Sequence, residues 1–127
     1  MKSYTGATDA ISTVKVEGEI RAFFSATAVR LKEQVWLCVE TRWIGDGTPV
    51  TVTLFRESED GATEPLETFD GTISSGLWEK QWTVELPEDV LDEVHGAIVF
   101  YFDVAVEAQP ALARSQTLLL HRTRFSS

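Results

Sequence analysis

From Gln34 to Trp43 the chain changes character at every step. Val35, Leu37 and Val39 fall on one side, and Trp36, Cys38, Glu40 and Arg42 on the other. Successive side chains of a strand point to opposite faces, so this period of two specifies a half-buried β-strand. A helix would need its apolar positions three or four residues apart. The first set is expected to enter a core and the second to stay half-exposed.

The rest of the chain repeats that grammar. Ile20 to Ala28 reads as an earlier strand, and Val50 to Glu57 alternates again with many β-branched residues. Between the strands lie Gly45-Asp46-Gly47-Thr48-Pro49, Asp60-Gly61 and Ser74-Ser75-Gly76, residues that turn a chain. A return strand runs from Leu66 to Ile73, with a bulge expected at Asp70-Gly71. Leu77 to Leu86 is the next strand, with Trp78, Lys80, Trp82 and Val84 on one face. Pro87 to Gly96 breaks the pattern: proline first, acids in the first turn, His95 at the end and glycine after it. Those marks define a short helical turn, with His95 capping it. Ala97 to Glu107 is apolar at almost every position, as suits a central strand covered on both sides. Gln116 to Phe125 closes the chain as a last strand.

About seven strands, closely spaced turns and one helical turn predict an all-β chain folded as an immunoglobulin-like two-sheet sandwich. A length of 127 residues fits one such domain, assigned to residues 15–127, with residues 1–14 expected to be a flexible N-terminal segment. No stretch approaches the ~18 apolar residues that a membrane span requires. The first residues lack the apolar run of a signal peptide, and Cys38 is the lone cysteine. A cytoplasmic location is expected on those grounds, with export through a secretion apparatus compatible with them.

The net charge is −9 and its distribution is lopsided. From Glu57 to Glu107 every Asp, Glu, Lys or Arg is acidic except Lys80, whereas Arg114, Arg122 and Arg124 mark the end of the chain. Phosphate contacts need a basic face, so nucleic acid and anionic membrane surfaces are not expected partners. The acids either keep the protein soluble or dock a basic partner.

Nucleophilic catalysis needs a nucleophile beside a base that is itself oriented. His95 and His121 are the two imidazoles, no Gly-x-Ser-x-Gly elbow occurs, and Cys38 lies mid-strand. No catalytic residue is assigned, and the chain is expected not to be an enzyme. One cysteine and two distant histidines do not make a zinc site. Glu57, Glu59 and Asp60 crowd one hairpin, yet neither they nor the acids of the helical turn match a calcium loop. No metal and no cofactor is assigned. Candidate interaction residues are Trp78 and Trp82, together with Glu88, Asp89, Asp92 and Glu93 of the helical turn. Trp78 and Trp82 lie ~13 Å apart on one strand face, given a rise of ~3.3 Å per residue. Exposed, they could stack on sugar rings; buried, they would fill the core or cover a sheet edge.

One resemblance narrows the choice. Val35-Trp36-Leu37-Cys38-Val39-Glu40-Thr41 precedes the turn Gly47-Thr48-Pro49-Val50. The hairpin Glu57-Ser58-Glu59-Asp60-Gly61 follows, and then Gly71-Thr72-Ile73 and Trp82. This ordered set, over roughly half of the chain, resembles the small immunoglobulin-like modules of bacterial contractile injection and type VI secretion systems. The resemblance implies a structural or adaptor module held by a spike, baseplate or effector component, and brings no catalytic residues with it. Those modules are often appended to larger proteins. Protein–protein contact is therefore the expected function. A carbohydrate-binding module using Trp78 and Trp82, or an acidic neutralising partner of a basic toxin, are the alternatives.

Overall fold

The computed structural model describes residues 18–59, 61–93, 96–107, 109 and 112–121, with nothing described of the side chains of Asp92 and Glu93. The expected flexible segment 1–14, Asp60 and the His95 cap lie outside the described residues. Among the described residues nine strands and one helix follow in order. They are β1 (Glu19–Phe24), β2 (Ala28–Arg30), β3 (Gln34–Arg42), β4 (Pro49–Ser58), β5 (Thr63–Thr72) and β6 (Leu77–Thr83). Then come α1 (Glu88–Glu93), β7 (Ile98–Val106), β8 (Ala113–Arg114) and β9 (Leu118–His121).

They form an immunoglobulin-like sandwich of two sheets. One sheet runs β2–β9–β7–β4–β5, with β8 pairing β7 beside β9, and the other runs β1–β3–β6. All neighbours are antiparallel except β2 and β9, which are parallel. The first strand expected from the sequence is divided, because the chain leaves one sheet after Phe24 and enters the other at Ala28. Ser25 holds that crossover: its Oγ accepts from the Trp36 N–H at 2.9 Å, and its own N–H donates to the Trp36 carbonyl at 3.0 Å. Of the last strand expected from Gln116 to Phe125, Leu118–His121 form β9 and residues 122–125 lie outside the described residues, while the short β8 precedes the expected range. Between β8 and β9 Ser115 Oγ accepts from the Phe102 N–H and donates to the Gln116 carbonyl, which satisfies a buried backbone group where the ladder is interrupted.

The core lies between the sheets and follows the alternation closely. Val35, Leu37 and Val39 of β3 face Val50, Val52 and Leu54 of β4 and Ile98, Phe100, Phe102 and Val104 of β7, all buried. Phe24 meets Phe102 edge-on, with centroids 5.0 Å apart.

The sheets are unequal, and β5 overhangs the three-stranded sheet beyond β6. Side chains fill that gap. Trp82 turns inward and meets Phe100 edge-on at 5.1 Å, and Trp78 reaches across to Phe69 at 6.3 Å. The pyrrole side of the Trp78 indole lies against Gly71, where a β-carbon would collide with its Nε1. The bulge expected at Asp70-Gly71 is absent, and these residues pair in continuous register with Thr51 and Val50. The register shift falls instead between Leu54 and Phe55, opposite Pro65-Leu66. Proline lacks the N–H that a ladder uses, so it is tolerated on an edge strand and accompanies its irregularity.

Candidate functional site

Trp82 is a core residue with 9% of its surface exposed, and Trp78 is half-buried over Gly71 and Phe69. A pair of free rings for sugar stacking is therefore not formed. Among the described residues no three His, Cys, Asp or Glu side chains are placed to hold a metal ion. Glu88 and Asp89 open α1 and are exposed, and α1 has no basic residue in its last turn.

Beside α1, at the open side of the sandwich, lies a groove of about 640 Å³ lined by Glu64, Glu67, Glu85 and Asp89 above Trp82 and Arg56. Arg56 points inward from β4 and is only 8% exposed. Its Nη1 donates to Ser58 Oγ at 2.7 Å and its Nη2 to Glu64, while its Nε has no partner. The carboxylates thus surround a guanidinium that the chain itself supplies. That arrangement offsets the cost of burying Arg56, and the groove already holds its cation.

The outer face of the six-stranded sheet is chemically different. The outward side chains of an antiparallel sandwich are ordinarily polar. Here Val99 and Tyr101 of β7, Phe55 of β4, Pro65 of β5 and Leu119 of β9 adjoin one another by register. Phe55 and Tyr101 stack with centroids 5.1 Å apart and planes at 21°. Leu119 is 39% exposed, whereas Tyr101 is 8% exposed although it points away from the core.

Arg114 covers Tyr101 from the other side, its guanidinium carbon 4.4 Å from the ring centroid. It is held there by two hydrogen bonds to Asp103, from Nε to Oδ1 at 2.7 Å and from Nη2 to Oδ2 at 3.0 Å. That forked pairing raises the Arg114 pKa further, so the guanidinium is a permanent charge. Chemically the face offers an apolar centre of aromatic rings with ionic borders, the composition of a protein contact surface. Sequence reasoning singled out Ala97 to Glu107 as a strand covered on both sides. It missed that the outward cover would be incomplete. The available signal was Tyr101 and Val99 occupying outward positions of β7.

No family model matches the chain, and no curated protein is similar to it. Its fold is widely shared: 222 chains in solved structures match, so the sandwich by itself does not specify a function. One of them is the alkylpurine DNA glycosylase AlkC of Pseudomonas fluorescens, solved bound to DNA containing an abasic-site analogue. The two are 12% identical with a TM-score of 0.52, over 86% of this chain and 32% of that one. The chain therefore spans about a third of the length of the enzyme it matches. This corrects the expectation that the chain is not an enzyme. The same sandwich is found within one, and missing sequence motifs do not set the chain apart from enzymes. No helix among the described residues is long and apolar enough to cross a membrane.

Proposed function

We propose that the domain is a protein-contact module that works through the outer face of its six-stranded sheet. The observation behind this reading is the continuous apolar strip of Leu119, Val99, Tyr101, Phe55 and Pro65 on a face where polar residues are the rule. The Arg114–Asp103 clamp holds the centre of that strip flat, so little side-chain entropy would be lost on docking. The turn-and-strand motifs shared with contractile injection and secretion modules favour a spike, baseplate or effector component as the setting. DNA, which the glycosylase binds, is disfavoured for this chain by its charge of −9.

The test is capture from native cell extract on immobilised protein, comparing wild type with Phe55→Lys and Trp36→Lys. A partner held by wild type and Trp36→Lys but lost on Phe55→Lys supports the reading. Equal capture by all three contradicts it.

A further inference from the structure

We propose that the end of the sandwich beside Trp43 binds one ring of a neutral sugar. Trp43, Ile44, Thr48, Pro49, Glu107 and Gln109 line a cavity there, between the turn after β3, the start of β4 and the segment after β7. Its volume is about 290 Å³, close to the ~300 Å³ at which ligand pockets begin, which is room for a ring rather than a chain. The site goes beyond the contact reading above. Pro49 and Phe55 stand six residues apart on β4, ~20 Å at ~3.3 Å per residue.

The backbone of Trp43 is strained. Its φ is 61°, in the left-handed region where a bulky residue is an outlier. The side chain gains little from the core in return, for Trp43 is 65% exposed and is the barest of the four tryptophans. A ring held outward at a strained position points to a use for the ring. Its surroundings are fixed. Gly47 N–H donates to the Ile73 carbonyl at 2.7 Å, and Ile73 N–H donates to the Thr48 carbonyl at 3.0 Å. Ile44 packs so closely on Gly18 that a β-carbon there would collide with it. A site already in place loses little entropy on binding.

The polar groups of the cavity decide what fits it. Gln109 Oε1 accepts from the Gly18 N–H at 3.1 Å, which orients the amide and leaves its Nε2 hydrogens to donate. Thr48 Oγ1 donates to the Gly45 carbonyl at 2.6 Å, so its lone pairs remain to accept. The Glu107 carboxylate has no ion-pair partner among the described residues. An anion would be repelled by Glu107 and would find no Lys, Arg or His in the lining. A wholly apolar ligand would strip water from Glu107 and Gln109 and return no hydrogen bond. A cation suits Trp43 and Glu107 but offers the Gln109 amide nothing that accepts. A sugar meets every group. Its hydroxyls both donate and accept, and its ring C–H groups carry the partial positive charge that an indole face attracts.

Titration of the full chain with cello-, chito-, malto- and mannohexaose, followed by tryptophan fluorescence and calorimetry, tests the proposal. At least one should give a saturable change in the millimolar range, as befits a single small subsite. Trp43→Ala should weaken it more than about tenfold. Trp36→Ala, which removes the next barest ring, and Phe55→Lys should leave it unchanged. Glu107→Gln should bind nearly as well, since an amide oxygen also accepts, and Glu107→Leu should bind about tenfold more weakly. Trp43→Gly should bind no saccharide yet melt no lower than wild type, because glycine takes a φ of 61° freely. Absence of a saturable change with every saccharide overturns the proposal. So does equal binding by Trp43→Ala and Trp36→Ala. A change produced by tetramethylammonium and by no saccharide assigns the cavity to a cation and overturns it too. If no saccharide binds while Phe55→Lys still abolishes capture from extract, the sugar is wrong and the contact face stands.

Discussion

On the outer face of the three-stranded sheet, Phe23, Trp36 and Cys38 are interleaved with polar groups. Phe23 and Glu79 flank Cys38, and Gln81 pairs with Trp36. Arg21 lies 4.9 Å from the Phe23 ring centroid and is bonded to Glu40 at 3.3 Å. On the outer face of the six-stranded sheet the apolar side chains run together instead, and ions stand mainly at the borders. Both faces hold aromatic residues, and Trp36 at 43% exposed is the barer of the two sets. Exposure of a single ring is therefore a poor guide. Scattered apolar groups with polar neighbours are ordinary surface, whereas a joined strip shaped by a salt-bridged arginine is a surface arranged for contact.

The largest difference to test is between the two sides of β7. Phe102→Ala, on the buried side, should destabilise the fold by about 3–5 kcal/mol in urea unfolding, because it removes the ring that meets Phe24. On the outward side of the neighbouring strand, Phe55→Lys should lower partner binding by more than about tenfold while leaving most of that stability intact. Trp36→Lys should change neither. If Trp36→Lys weakened binding and Phe55→Lys did not, the comparison would be reversed.

Smaller effects sharpen it. Glu64→Gln should cost about 1–2 kcal/mol, since it keeps an acceptor for Arg56 Nη2 but removes the anion that pairs with the buried guanidinium. Arg56→Met should cost less, because no buried charge then remains: Glu64, its partner, is more than half exposed and stays hydrated. Arg114→Ala should cost at most about 1 kcal/mol, the exposed clamp being worth little to stability, yet it should weaken binding by unseating Tyr101. The smallest effect concerns Cys38. Burial, then Glu79 and Glu40, raises its thiol pKa, so alkylation at pH 8 should be slow in the native protein and fast in urea.

The inward half of this architecture is legible in the sequence because alternation reports burial directly. Val35, Leu37, Val39, Val50, Val52 and Leu54 are where the period places them. The helix was legible from Pro87 and its acids: the Pro87 carbonyl accepts from the Val90 and Leu91 N–H groups at 3.1 and 3.2 Å. The crossover at Ser25 was not read, because Phe24, Ala26 and Ala28 continue the period of two, and only Val29, buried one position out of phase, breaks it. Trp78 and Trp82 were ambiguous for a related reason. Their strand is an edge, and only the overhang of β5 decides whether a ring there meets solvent or a neighbouring strand. The contact face was the least legible part. It is assembled from β4, β5, β7 and β9, and no local window contains Phe55, Tyr101 and Leu119 together.

The central claim is that the six-stranded face, and not the three-stranded one, is covered by a protein in use. Hydroxyl-radical footprinting of the isolated chain at high dilution and of the same chain in concentrated native extract compares the two faces directly. Protection of Phe55 and Leu119 in extract, with Phe23 and Trp36 labelled equally in both, is the result this account predicts. Protection of Phe23 and Trp36 with Phe55 and Leu119 unchanged would contradict it.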